Sequence, residues 1–399
     1  MRTSSTLSRL LLGVFLLAAA SCSDDAPVKP PPPEDPCAKA GGPLEVRSIA
    51  ADDDYSMAVM SDGTVRCWGF NVANRCAMPD VDLEVWPPRQ SQGLECVTQV
   101  SLGPEGGAAR RADGGLFVWS TDRHGELTQG YDVGPGVPVL IEETRHVRYV
   151  DSRNHTIHAV EESGAVIRWG LIWSEGLEIE NEWFPTPIGA LPPTLEVSAG
   201  APICALTTDQ TLWCWGGNAF GGLGDGTTLD RREPRPVEGL QVAAVRTGNG
   251  TSCALTPNQE VWCWGRNDAG QAGQPALPGE ELEEKVLFPQ RVEGLPPVVQ
   301  IDLNDAATCA VTVDSEVYCW GVQGPCGLDG TLPYGGGGAS GPMPTRIVDL
   351  SPARQVAMGN EHLCVLKTDG TVWCRGTSLA TNANRSCKDL VLIDFPSER

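Results

Sequence analysis

The sequence predicts an all-β fold, a seven-bladed β-propeller of four-stranded antiparallel blades, and three observations point to it. An apolar strand, a short polar turn and a second strand ending in Trp-Gly recur along the 399 residues, anchored at Trp68, Trp119, Trp169, Trp215, Trp264, Trp320 and Arg375. Successive anchors stand 51, 50, 46, 49, 56 and 55 residues apart, a period that marks a repeat architecture. Each copy divides into four short apolar or β-branched runs, the length and composition of strands. The third run is apolar on both faces: in Thr211–Trp215, Trp213 and Trp215 share one face while Leu212 and Cys214 share the other. Such a sheet needs a neighbour on each side. Radial packing supplies both and leaves only short edges, whereas a linear solenoid suits a shorter period.

The first element is a targeting segment. Arg2 and Arg9 form a basic stretch before the apolar run Leu10–Ala20, which is too short to span a bilayer, so residues 1–21 read as a signal peptide. Ala19-Ala20-Ser21-Cys22 resembles a bacterial lipobox, with Ala19 where Leu is commoner. Cleavage before Cys22 leaves its sulfur and amine to carry lipid, which predicts an exported protein anchored to the outer membrane or cell surface. Free secretion after ordinary cleavage is the alternative. Residues 22–43 hold Pro27, Pro30, Pro31, Pro32, Pro33 and Pro36 and read as an extended tether, at ~3.1 Å per residue. The propeller is expected over 44–399.

The repeats follow in order. Repeat one joins two strands across Ser61-Asp62-Gly63 and repeat two across Asp113-Gly114-Gly115, hairpin signals because Gly takes positive φ without a Cβ clash. Repeat two ends Trp119-Ser120, and repeat three replaces the glycine loop with Leu171-Ile-Trp-Ser-Glu-Gly-Leu-Glu178. Repeat four is the fullest: Leu195–Ala199, Ile203–Thr207, Thr211–Trp215, the Gly-rich Gly221–Gly226 and Arg235–Val237. Repeat five carries Trp264-Gly-Arg-Asn-Asp-Ala-Gly-Gln-Ala-Gly273 and an acidic insertion, Glu280–Glu284. Repeat six is shortened after Gly321, and repeat seven has the Asp369-Gly370 turn with Arg375 in place of Trp.

From Leu44 to Phe395 these phrases resemble the regulator of chromosome condensation repeat, most of all its exported bacterial version. The resemblance implies a propeller whose ring of loops docks partners, as some members do with proteins. The founding member is a guanine-nucleotide exchange factor, but that activity needs a surface rather than a motif, and no residue of it carries over.

Fifteen cysteines in an exported chain predict disulfides. Eight fall in four copies of Cys-x9-Cys: Cys204/Cys214, Cys253/Cys263, Cys309/Cys319 and Cys364/Cys374. The turn centre lies midway in each, so the two face one another across a hairpin. The first three repeats hold Met57/Cys67, Ala108/Val118 and His158/Arg168 there, so four blades are expected to be stapled and three not. Cys76 and Cys96 flank one inter-repeat crossing, and Cys37 and Cys387 stand in the same relation once the ring closes; a Cys37–Cys387 bond would clip the first blade to the last. Zinc favours closer cysteine spacing, so no metal or cofactor is expected.

A net charge of −22 repels phosphate backbones, which disfavours nucleic acid as a partner. The acidic stretches Asp52–Asp54, Glu175–Glu182 and Glu280–Glu284 read as solvated loops without calcium-site spacing. Of the five histidines, His155 and His158 sit three apart on a strand and face opposite ways. No nucleophile elbow or phosphate-cradling loop before a helix is present. The sequence therefore predicts a monomeric, non-catalytic binding module on the bacterial envelope. Its partner is a protein or an envelope polymer, met through the irregular loops Gly170–Trp183, Pro275–Phe288 and Gly324–Pro342. The first alternative is an envelope hydrolase or lyase using propeller-face carboxylates, which requires two convergent channel acids, one with a raised pKa. The second is nucleotide exchange, by family analogy.

Overall fold

In a computed structural model, the described residues are 43–78, 83–120, 135–142, 144, 146–153, 156–172, 180–276, 282–321, 341–360, 362–376 and 390–395. They form seven four-stranded antiparallel sheets, each built from four consecutive strands. Beyond strands, the described residues hold only single 3-10 turns at Val72–Asn74 and Val348–Leu350. No helix among them is long and apolar enough to cross a membrane. The sheets lie within one compact unit, Pro36–Arg399.

Blade 4 runs Thr194–Ser198, Ile203–Thr207, Leu212–Gly216 and Arg231–Pro236. Its fourth strand starts before the expected Arg235 because Arg231 already pairs with Gly216 across an irregularity in the ladder. The hairpins between second and third strands turn at Gly63, Gly114, Gly164 and Gly370, each with positive φ. Glycine is required at Gly164, where φ is +84° and an added Cβ would come 3.0 Å from the Pro193 Cα. In blades 4, 5 and 6 the same position is held by Gln210, Gln259 and Ser315 at φ of 67°, 65° and 63°.

The core lies between blades. Trp68, Trp119, Trp169, Trp215, Trp264 and Trp320 are each fully buried. An indole removes roughly 200 Å² from water, about 5 kcal/mol of transfer free energy per ring. One apolar cluster joins blades 4 to 6 through Leu223, Trp264 and Trp320. Another joins blade 1 to blade 7, where Trp68 meets Phe395 edge-on at 5.6 Å. The ring closes there by side chains as well: Gln355 Nε2 donates to the Ile49 carbonyl at 2.7 Å, and Arg354 donates to the Val46 carbonyl.

The four Cys-x9-Cys pairs are bonded at facing positions. Cys204–Cys214 in blade 4 has its Cα atoms 4.2 Å apart. Cys253–Cys263 in blade 5, Cys309–Cys319 in blade 6 and Cys364–Cys374 in blade 7 each span 4.1 Å. Blade 1 departs from expectation, because Cys67 bonds Cys76. Met57 faces Cys67 across the hairpin, so no thiol is available there. Instead the following loop folds back, with the Cys76 N–H donating to Asn71 Oδ1 at 2.9 Å, and brings Cys76 to it. Cys76 is thus not joined to Cys96, which is itself disulfide-bonded. These five bonds fit an oxidising, extracytoplasmic setting, and each stabilises by ~2–4 kcal/mol. Cys22, Cys37 and Cys387, the signal segment and nearly all of the tether lie outside the described residues.

Candidate functional site

The first strands of the blades, Val46–Asp52, Val97–Gly103, Val147–Arg153, Thr194–Ser198, Ala244–Thr247, Val298–Leu303 and Ala353–Met358, line a central channel. Their matching registers stack alternate residues into tiers. Ser48, Gln99, Tyr149, Glu196, Ala244, Gln300 and Gln355 form the first. Ala50, Ser101, Asp151, Ser198, Arg246, Asp302 and Ala357 form the second. Both tiers except Glu196 and Ala244, together with Arg153, line a cavity of about 220 Å³.

Most polar side chains in these tiers bind the backbone of the next blade. In the first tier, Gln99 donates to the Val150 carbonyl at 2.9 Å and accepts its N–H at 3.3 Å. Gln300 does the same with Val356 at 3.1 and 3.0 Å, and Glu196 accepts the Val245 N–H at 2.8 Å. In the second tier, Ser101, Asp151, Ser198 and Asp302 accept the N–H groups of Ser152, Ala199, Thr247 and Met358 at 2.8, 2.7, 3.0 and 2.9 Å. Each such bond contributes ~0.5–1.5 kcal/mol net and fixes the angle between blades.

Past the second tier, Arg153 crosses from blade 3 to blade 5, where Nη1 donates to the Thr247 carbonyl at 3.0 Å. Burial pulls Arg153 down, but Asp52, Asp151, Asp302 and Asp305 outweigh it and hold the guanidinium charge. Asp52 is buried rather than solvated, against the reading of its acidic stretch, and one carboxylate oxygen finds no partner. Burial lifts it to about 6 despite Arg153. Asp302 is also raised by burial, opposed by Arg246. Two channel acids, one of them raised, is the condition set for an envelope enzyme. Here, however, Asp151 and Asp302 are each spent on an inter-blade bond.

A second suggestive pair, Ser56 Oγ and His362 Nε2 at 2.6 Å, is fully buried. At the same register, Ser252 and Thr308 donate to loop carbonyls of Gly222 and Gln271 at 2.8 and 2.9 Å. The hydroxyl at this position is a packing clamp, and Ser56 makes the equivalent contact with blade 7. Burial holds His362 down at about 4 and His158, further lowered by Arg168, at about 3. Neither ring nitrogen of His158 has a partner.

The Trp-Gly phrase is itself part of the clamp. Trp119, Trp264 and Trp320 donate Nε1–H to the carbonyls of Arg75, Gly222 and Gln271 on the preceding blade's loop, at 2.7, 2.7 and 3.0 Å. Asn218 and Asn267 hold those loops, accepting the Leu223 and Ala272 N–H groups at 2.9 and 3.1 Å.

The cysteines singled out in the sequence are not brought to this site. Cys204, Cys214, Cys253, Cys263, Cys309, Cys319, Cys364 and Cys374 lie on the second and third strands of their blades, and the channel is lined by first strands. All eight are buried in the layers between blades, so they brace the ring and touch no ligand space. Cys76 and Cys96 are likewise absent from the channel wall.

Within the expected contact loops, residues 173–179, 277–281 and 324–340 lie outside the described residues, as do His124 and His155. The described flanks of all three loops carry exposed apolar side chains: Phe184 at 64 %, Phe288 at 60 % and Met343 at 47 %. Among the described residues, no three His, Cys, Asp or Glu side chains gather to hold a metal ion. Sequence reasoning missed the channel glutamines. A detectable signal existed, a Gln directly before a core Val or Ile in Gln99-Val100, Gln300-Ile301 and Gln355-Val356.

The description "Regulator of chromosome condensation (RCC1) repeat" matches residues 209–255 and 258–311, and in a second version 241–271 and 353–378. The chain is 30% identical over 207 residues to the ultraviolet-B receptor UVR8 of Arabidopsis thaliana, covering 49% of this chain and 46% of that one. It is 26% identical over 327 residues to the human E3 ubiquitin-protein ligase HERC2, covering 79% of this chain and 6% of that one. The chain thus spans less than half the length of these relatives. In fold it is similar to yeast RCC1 (Prp20) as seen bound to Kap60, with a TM-score of 0.70 at 18% identity, over 88% of this chain and 85% of that one. Human WBSCR16 superposes with a TM-score of 0.69 at 16% identity, over 84% and 95%.

Proposed function

We propose that this chain, a member of the regulator of chromosome condensation repeat family, is a non-catalytic module that binds a protein on the bacterial cell envelope. It reaches that setting by export and is held there through lipid on Cys22. The carrying observation is the placement of Phe184, Phe288 and Met343, each large, apolar and exposed, beside the three loops in which the repeat phrase fails. Exposed aromatics and Met at a loop rim suit recognition, because such residues supply most contact energy at interfaces. Yeast Prp20 has been studied for binding to Gsp1p and histones, which fits a family whose propeller serves as a docking platform. Asp151 and Asp302 each accept a neighbouring blade's N–H, which suits fixed structural or binding groups better than a mobile acid–base pair.

The test is affinity capture from intact envelopes with the full chain, its Phe184→Ala/Phe288→Ala/Met343→Ala variant, and Cys22→Ser as the anchor control. The expected result is a protein captured by the first and lost by the second, with unchanged far-ultraviolet circular dichroism. The Cys22→Ser chain should leave the membrane fraction. Equal capture by the triple variant overturns the docking surface, and unchanged membrane association of Cys22→Ser overturns the anchor.

A further inference from the structure

Asp151 and Asp302 line the cavity with Arg153 and Arg246, and Asp52 and Glu196 beside it bring the count to four carboxylates against two guanidiniums. Glu196 stands 3.6 Å from Arg246, and Asp52 is the acid that acts most strongly on Arg153. These pairings leave Asp151 and Asp302 in the second tier, and neither has a Lys, Arg or His nitrogen within 4.0 Å among the described residues. Asp151 takes the Ser101 hydroxyl at 2.6 Å and the Ala199 N–H at 2.7 Å, both neutral donors. Asp302 takes the neutral Met358 N–H at 2.9 Å. Burial raises the Asp302 carboxyl even though Arg246 and Arg153 pull it down.

Tyr149 lines the same cavity, and its hydroxyl has no hydrogen-bond partner among the described residues. A cavity of about 220 Å³ is below drug-sized pockets but takes a chain of a few carbons. The occupant that suits two under-compensated carboxylates beside an aromatic ring is a monocation with several N–H donors. Metal chelation is disfavoured because no three carboxylates gather there among the described residues.

We infer that the channel binds a primary ammonium group between Asp151 and Asp302, against Tyr149. Two sources share this chemistry, a free amine or amino acid and a lysine side chain of a protein partner. The inference does not rest on the loop-rim surface, because the cavity is lined by inner strands alone.

The experiment titrates the full chain with n-butylammonium chloride, with equal sodium chloride and with n-butanol, following intrinsic fluorescence and Tm. Saturable binding of n-butylammonium in the millimolar range is expected, with n-butanol and sodium chloride silent. Asp302→Asn should weaken it about tenfold or more, about 1.4 kcal/mol. Ala50→Lys, which plants an ammonium in the same tier, should raise Tm and abolish the binding. N-acetyl-lysine N-methylamide binding as well as n-butylammonium assigns the site to a partner's lysine, whereas preference for glycine ethyl ester assigns it to a free α-ammonium. Butanol binding as tightly, undiminished affinity in Asp302→Asn, or a lower Tm in Ala50→Lys overturns the inference. So does the absence of wild-type binding up to ~100 mM n-butylammonium, about 1.4 kcal/mol at a 1 M standard state.

Discussion

The glycine loops of repeats four and five stand at the junctions of blades 4, 5 and 6, whereas the junction of blades 3 and 4 has lost its loop. In the regular region, Trp264 and Trp320 donate to the preceding blade's loop, and Ser252 and Thr308 donate to the same carbonyls. At the irregular junction, Trp215 is equally buried but its Nε1–H has no partner, and Ile203 stands where a hydroxyl would. His158, with no partner on either nitrogen, lies 6.2 Å from the Trp215 ring. Repeat four is nonetheless the fullest copy in the sequence. A blade's phrase therefore works on its neighbour: the glycine loop of one copy receives the tryptophan of the next. Losing the loop in repeat three leaves a defect in repeat four.

The comparison is broken most severely by emptying the regular side. Trp264→Ala removes a fully buried indole and its bond to Gly222. The expected cost is ~3–5 kcal/mol, read as a lower denaturation midpoint. A loss under about 1 kcal/mol would mean that the blades do not depend on this ring.

The irregular side can instead be made regular. His158 faces Arg168 as Cys204 faces Cys214, Cys253 faces Cys263, Cys309 faces Cys319 and Cys364 faces Cys374. His158→Cys with Arg168→Cys should form a fifth hairpin staple, seen by mass spectrometry without reductant, and stabilise by about 2 kcal/mol at pH 7. The lost Arg168–Glu182 pair, 3.2 Å and partly exposed, offsets less than about 1 kcal/mol of this. The pH dependence has a definite sign. His158 is lowered from 6.5 to about 3, so the stability it contributes is present above 6.5 and is lost as pH falls toward 3. The variant escapes that loss, and its advantage should widen by ~1.4 kcal/mol per pH unit below 6.5. His362 acts in the same direction, and Asp52, raised to about 6, loses stability as pH rises from 3.8. Both remain in either chain and cancel in the difference. An advantage that shrinks with acid would show that His158 is not held neutral.

What was legible in the sequence follows from which contacts are local. The hairpins and the facing cysteines lie within about a dozen residues of one another, so spacing alone places them, and the blade count follows from the recurrence of that local phrase. The channel could not be read that way. Gln99 reaches Val150, Gln300 reaches Val356 and Gln355 reaches Ile49, contacts that exist only after the ring has closed. Side-chain identity at these positions is also loosely specified: Ser48, Tyr149, Glu196 and Ala244 share the tier with the glutamines. Cys67–Cys76 was hidden for a different reason. The bond depends on Asn71 folding the loop back, which no cysteine spacing announces.

The finest test separates the ring from its N–H. Trp→Phe shortens the ring by a similar volume at every site, so the difference between sites isolates the hydrogen bond. At Trp215 the substitution removes a buried donor that has no acceptor and so relieves a desolvation cost. At Trp264 and Trp320 it breaks a bond of 2.7 or 3.0 Å, although Ser252 and Thr308 still serve the two carbonyls. At Trp119 the facing residue is Gly107, so no hydroxyl remains to serve the Arg75 carbonyl. The expected order of destabilisation is Trp119 first, Trp264 and Trp320 together, and Trp215 last, with steps of about 1 kcal/mol. Equal losses at Trp215 and Trp264 would reduce the clamp to packing, because the indole N–H would then contribute nothing that an unpartnered one does not.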